Sequence, residues 1–116
     1  LNACNPQPKA LFRIAIEEGE AWLLGDHNAV KTAYPRAKGQ VLNNYVQDSI
    51  CGTWEKLADA IYPGGSQKLK QLGWPHTGKA KCEWAEKISP HIGVDTNHSK
   101  SFQVFRDGIR HLAGMI

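Results

Sequence analysis

ALFRIAI, residues 10–16, is the stretch on which the fold turns. It is short, apolar and rich in branched side chains, it follows two prolines at Pro6 and Pro8, and it reads as a buried strand. Glu17, Glu18, Gly19 and Glu20 come next, and then Ala21-Trp22-Leu23-Leu24 reads as a short helix closed by Gly25. A lone strand cannot satisfy its own backbone N–H and C=O groups. Its partner is expected later in the chain, in a second copy or in preceding sequence. The expected fold class is therefore α+β and mainly helical, with one N-terminal strand followed by five or six helices.

Downstream the helical signals are clearer. Asp26 is placed to cap a helix over residues 28–34 that Pro35 stops, while residues 40–45 fit helix or strand. Thr53 is expected to cap a helix in which Trp54, Leu57, Ala58 and Ile61 fall on one face, and Pro63-Gly64-Gly65 ends it. A short helix over residues 67–72 is closed by Gly73. Thr77 is then expected to cap a helix reaching Ser89, with Lys81, Trp84, Ala85 and Ile88 on one side. Ser99 opens the last helix, in which Phe102, Phe105, Ile109 and Leu112 form the strongest apolar stripe in the chain.

Composition narrows the function classes. The chain has 116 residues, 41% hydrophobic and 22% charged, which suits one folded domain with a core and not a disordered segment. Residues 1–116 read as a single domain or the C-terminal part of a larger one, because the chain starts at Leu1 without an initiator methionine. No apolar run approaches the roughly 18 residues that a membrane span requires, so no membrane partner is expected. Cys4, Cys51 and Cys82 are sparse, odd in number and without a CxxC pair, which indicates reduced thiols and a cytoplasmic setting. The net charge of +3 does not itself demand nucleic acid, but its distribution is uneven. Acids gather between Glu17 and Asp26, and bases gather after Gly65.

Two clusters carry chemistry. If extended backbone continues through Gly19, Glu18 and Glu20 project to the same side, and paired carboxylates at a strand end can hold a hard cation such as Mg²⁺. The same acids also suit the first turn of a helix. The second cluster is Lys68, Lys70, Trp74, His76, Lys79 and Lys81, with Arg106 and Arg110 further on. Lysines neutralise phosphates and an exposed aromatic stacks on a base, although lysines also solvate ordinary helix faces. Lys79 and Lys81, placed near a helix N-terminus against the dipole, point to an anion nearby. Gly73-Trp74-Pro75-His76-Thr77-Gly78-Lys79-Ala80 nearly spells a phosphate loop, but Pro75 removes an amide and Ala80 lacks the hydroxyl for magnesium. The histidines show no metal-ligand spacing, and no serine has a nucleophile setting.

RIAIEEGEAWLLGD, residues 13–26, together with Asn97-His98-Ser99-Lys100-Ser101-Phe102, resembles a bacterial family of Toprim-like proteins of unknown function. Its members look like R-I-A-x-x-E-L-E-A-W-x-L-G-D at the first site, carry a lysine before a helix, and then an N-x-S-x-S-F signature. Gly19 stands where that family has leucine. The resemblance implies the C-terminal half of a Toprim-like α/β protein: a parallel sheet, an acidic Mg²⁺ site and phosphodiester chemistry. The family's key glutamate and D-x-D pair would precede this chain, which has no D-x-D. On that basis Glu18 and Glu20 border the metal and are catalytic together with Lys79 and Lys81, which would neutralise the scissile phosphate. Lys68, Lys70 and Arg106 contact nucleic acid, and Asn97, Ser99, Ser101 and Phe102 form a structural motif. The family context adds phage defence and an ATPase partner. The expected function is thus the C-terminal portion of a Mg²⁺-dependent nuclease, and the alternative is a non-catalytic module that binds nucleic acid or protein.

Overall fold

Asp26 shows how local chemistry sets the architecture. Its backbone is extended, and one carboxylate oxygen accepts the Ala29 N–H at 3.0 Å, which starts a helix at the next residue. The structure, a computed structural model, describes residues 19–48 and 52–114. Seven helices run through them in order: α1 (Glu20–Leu24), α2 (His27–Ala33), α3 (Gly39–Asn43), α4 (Thr53–Ile61), α5 (Gly65–Leu72), α6 (Trp74–Ile88) and α7 (Lys100–Leu112). A 3₁₀ turn, Ser89–His91, follows α6 where Pro90 prevents its continuation.

The expected strand over residues 10–16 falls outside the described residues, as does Glu18. Among the described residues there is no strand for it to pair with, so the α+β expectation and the parallel sheet are corrected to a mainly helical chain. The physical reason lies in the sequence after Gly19. Its apolar residues recur at helical spacing, its polar residues sit at caps, and the ambiguous 40–45 region resolves into α3.

The core forms where α1 to α6 meet. Leu24, Val30, Leu42, Leu57, Leu69 and Ile88 are wholly enclosed, with Trp84 against them. Burial of each such side chain contributes about 1.5–3 kcal/mol. α4 packs on α3 and α5, and α6 packs on α5, α2 and the 3₁₀ turn.

Two local expectations are corrected. Thr53 is the first helical residue of α4, not its cap; Gly52 precedes it at φ 77°, and the enclosed Thr53 hydroxyl has no hydrogen-bond partner among the described residues. Thr77 lies inside α6, which begins three residues earlier at Trp74, and the buried face runs through Thr77, Ala80, Trp84 and Ile88. The stripe of α7 is only partly covered, since Ile109 is 46% and Leu112 is 36% exposed.

Candidate nucleic-acid interface

The corner between α5 and α6 is made by Gly73, at φ 93° and ψ 174°, a conformation essentially restricted to glycine. That corner ends α5 abruptly and delivers Trp74 as the first residue of α6, with its side chain 69% exposed. An indole this open on a folded surface contributes nothing to the core. The near-phosphate-loop at residues 73–80 is therefore the first turns of a helix and not a loop of inward amides.

Lysines surround that indole. Lys81 lies seven residues after Trp74, two turns along the same face of α6, and long helical side chains lean toward the N-terminus. Gly78 stands between them, and nothing lies within 4 Å of where its Cβ would be. The Lys81 stem therefore has a clear path, and its Nζ sits 5.5 Å from the Trp74 ring centroid. It also sits 5.4 Å from the Trp54 ring, while Lys70 reaches the same ring from α5 at 5.8 Å. Trp54 is half-buried, packing one side on the core. Contacts of this kind are worth about 0.5–1 kcal/mol each at exposed sites. Two ammonium groups thus lie against one indole. Lys79 is exposed on the same helix and borders a cleft of about 220 Å³ that Tyr62, His76, Ala80 and Glu83 also line. Lys68 is exposed on α5. Residues 65–82 contain these four lysines and no Asp or Glu.

The structure thus brings Lys70 and Lys81 together and leaves the other expected residues elsewhere. Glu20 is half-buried in the first turn of α1. Among the described residues no group of three His, Cys, Asp or Glu side chains could hold a metal ion. Arg106 donates to Asp107 at 2.9 Å and to the Val94 carbonyl at 3.0 Å, which ties the 92–97 loop to α7. Trp54 is the member that sequence reasoning assigned only to the core. Its spacing with Leu57, Ala58 and Ile61 is that of any buried helix face, and only the approach of α5 and α6 reveals its second side.

Asn97, Ser99, Ser101 and Phe102 converge at the start of α7. Asn97 is buried; its Nδ2 donates to the Trp22 carbonyl at 2.8 Å and its Oδ1 accepts the Ser99 N–H at 2.8 Å. Ser99 caps α7 by accepting the Phe102 N–H. The Ser99 hydroxyl donates to Asp48 at 2.7 Å, and Asp48 also accepts the Ser101 N–H and the Ser101 hydroxyl, each at 3.0 Å. Ser101 in turn accepts the Trp22 Nε1–H at 2.8 Å, and the Trp22 ring stacks on Phe105 at 4.9 Å and meets Phe102 edge-on at 5.6 Å. Burial by itself would raise the Asp48 carboxyl, but the bonds from Ser101, Ser99 and the Lys100 N–H outweigh it and hold the group below the ordinary carboxylate range. Asp48 takes a left-handed φ of 55° to make this reach. Asp48 stands some fifty residues from its partners, and no sequence signal marked it.

Compared with protein-family models, with curated proteins and with solved structures, the chain matches none. No helix among the described residues is long and apolar enough to cross a membrane. The functional reading therefore rests on the surface itself.

Proposed function

We propose that this chain is a non-catalytic module that binds nucleic acid through the α5–α6 face, with an ATPase subunit as the protein partner that the family resemblance adds. The observation that carries the reading is the exposed Trp74 indole beside Lys81, with Lys70 on the neighbouring Trp54. Lysines in an acid-free stretch attract a polyanion at long range, and each phosphate they neutralise releases a counterion. The nuclease alternative would rest on Glu18, Glu20, Lys79 and Lys81 together with acids outside the described residues, whereas the binding reading has a surface already assembled.

Lys70→Glu tests it. Lys70 is exposed and gives up one contact with the Trp54 ring, so the fold is expected to stay within about 1 kcal/mol of wild type. Binding to a mixed pool of oligonucleotides should weaken across all sequences, and the slope of log affinity against log salt should shrink by about 1 or more. Unchanged affinity and slope would remove this face from the interface.

A further inference from the structure

We infer that the face takes single-stranded nucleic acid in preference to duplex, an inference that rests on reading it as a nucleic-acid interface. The exposed indole decides between the two. In a duplex the base faces are stacked on one another, and a flat aromatic on a helix corner meets only sugar and phosphate. In a single strand each base offers a π-face, and the sequence-tolerant contact is a base laid on an aromatic ring flanked by cations. Trp74 has that form: 69% exposed, held at a fixed corner by Gly73, and with the Lys81 Nζ 5.5 Å from its ring centre. Lys70 over Trp54, with exposed Lys68 two residues earlier on α5, supplies adjoining positive charge for the phosphates on either side of a stacked base.

A membrane surface would also attract lysines and one tryptophan. It is the weaker fit, because after Trp74 and Pro75 come His76, Thr77, Gly78 and Lys79 rather than large apolar side chains that could enter lipid.

The experiment measures binding of the chain at low salt to a labelled oligo-dT of about 15 nucleotides, long enough to fill one small site. A duplex of the same length and vesicles of phosphatidylcholine with phosphatidylserine are titrated alongside. Trp74→Ala, checked for unchanged thermal unfolding, should lose roughly 5- to 100-fold in single-strand affinity while its duplex affinity stays within twofold, about the scatter of a surface change. Trp74→Phe should keep most of the binding. Equal affinity for both forms, untouched by Trp74→Ala, would overturn the single-strand preference and leave the module reading standing. The same overturning follows if Trp74→Phe is as weak as Trp74→Ala. Binding to neither oligonucleotide would remove the module reading itself, and binding to vesicles alone would reassign the face to a membrane surface.

Discussion

The α1–α7 junction and the α5–α6 face are both polar, and they use polarity in opposite ways. At the junction Asn97, Ser99 and Ser101 are all buried, and their donors and acceptors are matched by Trp22, Asp48 and one another. Such a network leaves little hydrogen-bonding capacity for a ligand and fixes one arrangement of the chain. On the face the polar groups are cations resting on rings, exposed or half-exposed, with no acid in their own stretch of sequence. A signature that looks functional can therefore be a latch.

Asn97→Ala should break the junction most severely. It leaves the Trp22 carbonyl and the Ser99 N–H unpaired in a buried place, at about 1–3 kcal/mol each. A loss of about 2–6 kcal/mol is expected in urea unfolding, with oligonucleotide affinity of the folded fraction unchanged. A parallel loss of affinity would mean that the two regions are coupled.

Asp48→Asn comes next, at about 1–3 kcal/mol at neutral pH, because an amide presents a donor where serines already donate. This contribution has a definite pH sign. The folded carboxyl lies below the ordinary range, so the unfolded chain binds the proton more readily. The stabilisation is complete above the ordinary carboxylate pKa and disappears as pH falls through the lower folded value. Wild type and Asp48→Asn should therefore converge in urea midpoint toward acid, and a constant gap would show that the carboxylate charge is not what holds α7.

The smallest expected effect sharpens the other side. Gly78→Ala adds a methyl into open space within α6 and should stabilise the chain by about 0.5–1 kcal/mol, read as a higher unfolding midpoint. No effect would mean that the first turns of α6 are not firmly helical in solution.

Local chemistry carried most of the helical layout. Asp26 and Ser99 behave as the N-caps their residue types suggest, Gly25 and Gly73 close the helices before them, and Leu57 and Ala58 are buried as their spacing demands. The α+β expectation rested on ALFRIAI, where a short apolar run has no period of its own and strand and helix look alike. The start of α6 was misplaced because Thr77 resembles a cap, whereas Gly73 and Pro75 give the earlier start. Within the candidate site the lysines and Trp74 were legible from composition. Their meeting on Trp54 was not, since it depends on how α4, α5 and α6 approach one another, and neither was Asp48, whose partners are remote in sequence.

That remoteness orders events in the life of the chain. Trp22 and Asp48 leave the ribosome long before residues 97–101, and 75 to 79 positions separate Trp22 from the groups that finally bind it. Until those groups emerge, an indole and a carboxylate wait without their native contacts while the earlier helices assemble. A chain cut short before α7 would carry an unfinished seam, with the Trp22 indole left without its native partners for other unfinished chains to find.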